Sequence, residues 1–137
     1  MYLKITKTAI ISLFFIILIL HLWASFNSAY FYVWWLDLIL HALGGFWLAL
    51  VAMFFFSKSE KTFSEASPYF IFILVLGLVS LGGVFWEFFE YIFDMLFARR
   101  GFGRLIQLGV SDTMSDLLFD LVGGVLAQLI FWKKRRR

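Results

Sequence analysis

Four long apolar runs, separated by short polar segments, occupy most of this chain. They cover residues 8–26, 30–56, 68–97 and 111–132, to within a residue or two. Each run is close to or above the ~20 residues that an α-helix needs to cross the ~30 Å hydrocarbon core of a bilayer. Ser67 followed by Pro68 is typical of a helix start, with a serine N-cap and a proline in the first turn. The pattern predicts an all-α fold, an integral membrane four-helix bundle forming a single transmembrane domain over residues 1–137.

Composition agrees with this prediction and excludes a soluble domain. Hydrophobic residues make up 63% of the chain and charged residues 15%, with one proline and no cysteine. The lack of cysteine excludes disulfides and thiolate metal sites. The first run follows Lys4 and Lys7 as a signal peptide would, but it is longer than the ~7 to 15 apolar residues of that class and has no small-x-small cleavage site. We therefore expect it to be retained as a transmembrane helix.

Basic residues predict the orientation of the bundle. Most of them fall on one side of the four predicted helices: Lys4, Lys7, Lys58, Lys61 and the terminal KKRRR at 133–137. By the positive-inside rule, both termini are expected in the cytoplasm. The terminal KKRRR is interpreted as an anchor to anionic lipid and not as a nucleic-acid site, because no folded basic domain accompanies it.

Three arginines break the orientation rule. Arg99, Arg100 and Arg104 lie between the third and fourth helices, on the predicted outer side. A guanidinium group pairs well with phosphate or carboxylate. We interpret these arginines as candidate binding residues for an anionic group of a substrate.

Most of the acidic residues lie in or beside the apolar runs, where a bare carboxylate is costly. They are Asp37, Glu87, Glu90, Asp94, Asp112, Asp116 and Asp120. Together with His41, which follows Asp37 by four residues, they are spaced three or four residues apart and form one stripe on each helix. By helix rise, His41, Glu87 and Asp120 lie at one depth, ~13 to 16 Å from the outer boundary. Because such residues normally face the bundle interior, the three stripes predict an outward-facing polar chamber.

The chamber is interpreted as a metal site, with five predicted ligands: His41, Glu87, Glu90, Asp116 and Asp120. Oxygen-rich sets suit Mg²⁺, Mn²⁺ or Ca²⁺, whereas Zn²⁺ and iron are less well suited. Glu87, Glu90 and His41 are the candidate catalytic residues. A shared ion requires the carboxylates of the two glutamates and the two aspartates to converge within ~5 Å of a common point.

The remaining acids are assigned to the mouth of the chamber or to capping. Asp112 lies in the first turn of its helix, where a carboxylate favours the helix dipole and caps free amides. Asp37 and Asp94 lie near the interface and have pairing with the arginines as an alternative. His21 is interpreted as an interfacial residue.

Pairs of glycines lie three to five residues, or ~5 to 7 Å, deeper than the acid layer. They are Gly44-Gly45, Gly82-Gly83 and Gly123-Gly124. Small residues let transmembrane helices approach closely. These glycines are therefore predicted to mediate helix packing and to close the floor of the chamber.

The order of these motifs resembles the YjdF-like family of small bacterial inner-membrane proteins of unknown function. The resemblance rests on His41 with Gly44-Gly45, Glu87-x-x-Glu90, and the run Gly109-Val110-Ser111-Asp112-Thr113-x-x-Asp116 that continues to Asp120 and a glycine pair. It covers the second to fourth helices. It implies a bacterial membrane location and these three motifs, but no reaction.

Three functions fit the pattern. The first is a divalent-metal-dependent enzyme that acts on a lipid or other anionic substrate. The second is a cation or proton transporter or channel component, against which stands the almost purely apolar cytoplasmic half of every helix. The third is a structural or assembly subunit, with a second copy or another membrane protein as partner.

Overall fold

The computed structural model describes residues 5–58, 66–101 and 105–131. The chain forms five α-helices in these ranges: α1 (Lys7–Phe26), α2 (Ala29–Tyr32), α3 (Trp35–Lys58), α4 (Pro68–Leu96) and α5 (Val110–Phe131). A 3-10 turn, Ala98–Arg100, follows α4. Lys4, Lys61, Arg104 and the terminal KKRRR, on which part of the predictions rests, lie outside the described residues.

Four helices are long and apolar enough to cross a membrane: α1, α3, α4 with its 3-10 turn, and α5. No strand occurs in the described ranges. The predicted all-α fold with four transmembrane helices is thereby confirmed, and the chain is a multi-pass membrane protein.

The predicted helix over 30–56 is divided in the structure. The chain turns at Ser28, whose φ of 56° is left-handed, and forms the single turn α2 before α3 begins at Trp35. The Tyr30 hydroxyl and Nδ1 of His21 are hydrogen-bonded at 2.8 Å, so α2 is held against the end of α1. Burial raises the pKa of Tyr30 above its ordinary value, which keeps the phenol neutral.

The bundle is built on α3 and α5, which have the most extensive contact, and α4 packs against both. Every third or fourth residue of α4 is buried: Ile71, Val75, Val79, Gly83, Glu87, Glu90 and Asp94. This stripe is apolar in the first half of the helix and acidic in the second. We call the end of the bundle that contains the start of α3, the end of α4 and the start of α5 the acidic end, and the opposite end the basic end.

The half of the bundle nearer the basic end is a dry apolar core. Met53, Val75, Val79 and Ala127 are completely buried there. Lipid tails are as apolar as these side chains, so close packing, not water exclusion, holds the helices together. Gln128 is the exception, fully buried with its amide nitrogen donating to the Phe72 carbonyl at 3.4 Å.

Glycines allow the close approach of α3 and α5. A Cβ added to Gly45 would meet the backbone carbonyl of Asp120, and one added to Gly123 would meet the backbone carbonyl of Ala42. Gly124 lies against Val79, whose Cγ2 would be 3.1 Å from an added Cβ. The two helix backbones are therefore in direct contact just below the acid layer.

Candidate metal centre at the acidic end

The imidazole of His41 lies at the centre of a cluster of carboxylates. Nε2 is 4.0 Å from Oδ1 of Asp37 and 3.9 Å from Oδ1 of Asp116, and Nδ1 is 3.5 Å from Oδ1 of Asp120. The side chain is only 4% exposed. Three aspartates from two helices thus surround one imidazole inside the bundle.

Two groups of residues in the cluster have the spacing of metal ligands. One group is Asp37, His41 and Asp116, and the other is His41, Glu87 and Glu90, with the ligand atoms of each within 4.8 Å of one another. Oxygen ligands at ~2.0 to 2.6 Å from an ion lie ~4 to 5 Å apart when they are opposite. Both groups can therefore close around a cation after small side-chain movements.

The predicted set of four converging carboxylates is not one of these groups. Asp120 belongs to neither of them, and the two glutamates are grouped with His41 and not with Asp116. The imidazole, and not a ring of carboxylates, is the shared element. Asp37, which is predicted at the mouth, belongs to one of the two candidate groups.

Asp120 is placed to orient the imidazole. Its carboxylate faces Nδ1, while Nε2 faces Asp37 and Asp116. A carboxylate that accepts the Nδ1 proton leaves the Nε2 lone pair for a metal and makes it more basic. Asp120 is thus better placed as a positioning residue than as a ligand.

Several polar atoms of the cluster have no hydrogen-bond partner in the described part of the chain. They are Nε2 of His41, both carboxylate oxygens of Glu87 and of Asp116, and Oδ2 of Asp120. Buried polar atoms in native proteins are nearly always hydrogen-bonded, since burying one without a partner costs roughly 1 to several kcal/mol of folding free energy. Hydrogen bonds among the described residues therefore do not offset the cost of burying these carboxylates.

Glu90 differs from its neighbour Glu87 because its carboxylate accepts a hydrogen bond from a side chain of the bundle. Nε1 of Trp86, one turn earlier in α4, donates to Oε1 of Glu90 at 2.9 Å. The bond holds one oxygen of this carboxylate and leaves the other for a ligand. Glu90 is 1% exposed and Glu87 7%, so both lie inside the bundle.

Asp94 and Asp112 hold the loop before α5. The buried Asp94 carboxylate accepts the backbone N–H groups of Ile106 and Gln107 at 3.0 to 3.1 Å. Asp112 accepts the N–H of Leu108 at 2.9 Å. The predicted alternative for Asp94, pairing with an arginine, is not what the described residues show.

Replacing Asp94 by alanine is expected to release this loop. Two amides would lose a charged acceptor worth ~1.5 to 3 kcal/mol per bond. Amide hydrogen exchange at Ile106 and Gln107 should accelerate at least tenfold, whereas Asp94→Asn, which keeps an acceptor oxygen, should change it less. Unchanged exchange in Asp94→Ala would mean that the loop is held by other contacts.

Arg99 and Arg100 are not part of the cluster. Arg99 and Arg100 are exposed in the 3-10 turn after α4, and neither forms an ion pair within the described ranges. Arg104 lies outside those ranges. His41 is the only basic side chain paired with the acids in the part of the chain that the structure describes.

Three aromatic or histidine side chains near the centre were not predicted as site residues. The His21 ring packs edge-on against Trp86, with 5.3 Å between ring centroids, and bonds to Tyr30. Trp86 in turn donates to Glu90. The one available signal was Trp86 four residues before Glu90, which places both on one helix face.

The fold and the cluster together define a multi-pass membrane protein with a histidine and carboxylate centre inside its helix bundle. The chain belongs to the family of predicted membrane proteins DUF2238, whose model matches residues 2–137. This membership is consistent with the YjdF-like resemblance of the motifs. An uncharacterized protein of Thermotoga maritima is 31% identical over 117 residues, which cover 82% of this chain and 56% of the relative. The chain therefore spans little more than half the length of that relative. No solved structure matches the chain.

Proposed function

We propose that the protein binds a divalent cation at the His41 centre and is a metal-dependent membrane enzyme that acts on a lipid or other anionic substrate. We place it in the cytoplasmic (inner) membrane with both termini in the cytoplasm. Lys7 and Lys58, which both lie at the basic end, support this orientation. The acidic end and its centre would then face the outer side.

The unpaired buried atoms carry this proposal. Nε2 of His41 and the oxygens of Asp116 and Glu87 have no hydrogen-bond partner among the described residues, and all three residues belong to the candidate ligand groups. A divalent cation in either group would give the unpaired atoms of that group a partner and offset part of the negative charge. Carboxylates at this depth are costly without such a partner.

Manganese is the cation that the donors favour. Each candidate group combines one imidazole with two carboxylates. Magnesium and calcium take mainly oxygen ligands, and zinc usually takes more nitrogen or sulfur, whereas manganese is found with mixed carboxylate and histidine sets inside helix bundles. Mn²⁺ is therefore the probe for the experiments below, with Mg²⁺, Ca²⁺, Zn²⁺ and Fe²⁺ as competitors.

The proposed chemistry divides among the residues of the cluster. A bound divalent ion acidifies a water molecule and polarises a phosphoryl or carbonyl oxygen. Glu87 has two unpaired oxygens and is the candidate general base, and Glu90 is fixed by Trp86. Asp120 faces Nδ1 of His41 and orients the imidazole. Arg99 and Arg100, exposed at the same end, are the candidate partners of the anionic group of the substrate.

A transport function is second, because the centre is closed toward the basic end. Direct backbone contact at Gly45 and Gly123 lies below the acid layer, and the apolar core with Met53 and Val75 follows. Gln128 is the only buried polar side chain in this half of the bundle among the described residues, so a cation would find few ligands there. A structural role is less well supported still, since the acids in the described ranges pair with no arginine.

The same substitution, Asp to Asn, at each of three positions in the aspartate stripe of α5 tests the proposal. Asp116→Asn is expected to lower Mn²⁺ affinity more than 100-fold by removing a ligand. Asp120→Asn removes the charge that orients the imidazole and should lower it ~10- to 100-fold. Asp112→Asn, in the same stripe but bonded to Leu108, should leave it unchanged. Titration of the detergent-purified full chain measures all three.

The order of the effects separates the functions. Wild-type protein that binds no divalent metal would refute the metal centre. Equal loss in all three variants would indicate nonspecific attraction by negative charge. If Mn²⁺ crosses liposomes containing the wild-type protein and not those containing Asp116→Asn, the enzyme proposal is wrong and the transporter is correct.

A further inference from the structure

A cavity of about 220 Å³ lies beside the metal centre, between α1, α3 and α4. We call it the crevice. Its walls are mainly apolar, formed by Phe14, Ile17 and Leu18 of α1 and by Leu40 and Leu48 of α3. The side chains of Asp37, His41 and Asp120 also line it. One cavity is thus shared by an apolar surface and the proposed centre.

The crevice exists because α1 is attached to the bundle mainly at its two ends. Near the basic end, Nε1 of Trp47 donates to the Ile10 carbonyl at 2.9 Å. Near the acidic end, the His21 ring contacts Trp86. Between these points most of α1 is exposed, with Ala24 its single buried residue among those described.

Three glycines line the crevice between the attachment points: Gly44 of α3, and Gly82 and Gly83 of α4. An added Cβ on Gly44 would lie 3.9 Å from the nearest atom, Oδ1 of Asp120, so this position is open. At Gly82 an added Cβ would meet the Leu48 side chain, and at Gly83 it would meet the Asp120 side chain, so Gly44 is the open position of the three.

The length of the crevice matches one bilayer leaflet. It extends along α3 from Asp37 to Leu48. Eleven residues at the helix rise of ~1.5 Å per residue give ~16 Å, close to half of the ~30 Å hydrocarbon core. A lipid chain that starts at the boundary of one leaflet and ends at the middle of the bilayer has this length.

We propose that the crevice binds one hydrocarbon chain of a membrane lipid, with the polar end of that lipid at the His41 centre. The claim that this lipid is the substrate rests on the proposed function. Water would find few polar partners along the apolar walls. A helix of a partner protein, ~10 Å or more across, is too wide for a cavity of this volume. The lipid enters sideways from the bilayer, between α1 and α4.

Two pairs of variants test the crevice. Leu18→Trp fills it from α1, and Ile19→Trp adds the same side chain at the next residue, which is 62% exposed on the outer face of α1. Gly44→Leu fills it from α3, and Gly77→Leu is its control, since nothing lies within 4 Å of a Cβ at Gly77. Neither control residue lines the crevice.

The probe is phosphatidylglycerol, offered to the full chain in a sterol-based detergent that has no alkyl chain. Native mass spectrometry should show one retained lipid per wild-type chain. Leu18→Trp and Gly44→Leu should each reduce retention at least tenfold, and the two controls should retain the wild-type amount. Glycerol 3-phosphate, which has the headgroup chemistry without the chain, should not displace the lipid.

Mn²⁺ titration of the same samples separates this proposal from the proposed function. If lipid is retained by the wild type and lost in both filling variants while no sample binds Mn²⁺, the crevice is correct and the metal enzyme is wrong. If Mn²⁺ binds but all variants retain lipid equally, or none retains it, the crevice proposal is overturned. Displacement by glycerol 3-phosphate would assign binding to the headgroup and also overturn it.

Discussion

The His41→Ala protein is expected to lose measurable Mn²⁺ binding, with a decrease in affinity of more than about 100-fold. The imidazole is the one residue common to both candidate ligand groups, so a single substitution removes a ligand from each. Loss of even an orienting residue costs ~10- to 100-fold in metal affinity, and a shared ligand should cost more. Isothermal titration of the purified full chain measures this change.

His21→Ala is the matched control for His41→Ala. The chain has two histidines, and His21 belongs to neither ligand group. Its removal should leave the Mn²⁺ affinity within about threefold of the wild type, a change of less than about 1 kcal/mol in binding free energy. Equal losses in both variants would contradict the assignment of His41 as the shared ligand.

A second readout distinguishes a ligand from a structural histidine. In the metal-free protein, His41 is the basic partner of Asp37, Asp116 and Asp120. Removing one partner of a buried charged pair costs ~3 to 5 kcal/mol, so His41→Ala should also lower the unfolding temperature. In the wild type, added Mn²⁺ should raise that temperature. In His41→Ala it should not, and a preserved metal-dependent rise would show that the ion binds elsewhere.

Gly45→Ala is expected to destabilise the bundle by at least ~1 to 3 kcal/mol, the usual cost of overpacking. The added methyl would overlap the backbone carbonyl of Asp120 in α5. Backbone cannot move aside as a flexible side chain can, so α3 and α5 must separate. Thermal unfolding in detergent, followed by circular dichroism, measures the loss.

The adjacent residue supplies the control for this variant. A Cβ at Gly44 would be 3.9 Å from its nearest neighbour, so Gly44→Ala should unfold within a few degrees of the wild type. Gly45→Ala should also weaken Mn²⁺ binding, because separating the helices moves Asp120 away from His41. If both variants unfold at the wild-type temperature, the α3 and α5 backbones do not approach closely enough at Gly45 to exclude a methyl group.

Much of the architecture follows from the sequence alone. Four apolar runs of sufficient length predict four transmembrane helices, since the thickness of the bilayer sets the length of an apolar helix. Glu87, Glu90 and Asp94 share one face because of their spacing, and all three are buried. The cost of a carboxylate in lipid then requires that this face point inward. Depth along each helix is likewise a matter of counting residues.

The roles within the cluster could not be derived in this way. Spacing places Asp116 and Asp120 on one face of α5, but it does not reveal that one faces Nε2 and the other Nδ1 of His41. Asp37 was expected at the mouth and lies in a ligand group, whereas Asp94 binds the loop amides of Ile106 and Gln107. These assignments depend on how helices rotate and cross, which periodicity along one helix does not encode.

The sequence by itself determined the number of membrane-spanning helices, their inward faces and the positions of the acids along each helix, because helix rise, helix period and the cost of charge in lipid act within one segment. Only the tertiary structure decided that His41 is shared by two candidate ligand groups and that Gly45 contacts the backbone of α5 whereas Gly44 does not. It also decided that a crevice between α1, α3 and α4 lies beside His41 and Asp120. These features depend on distances between helices, which are set by packing among side chains far apart in the chain.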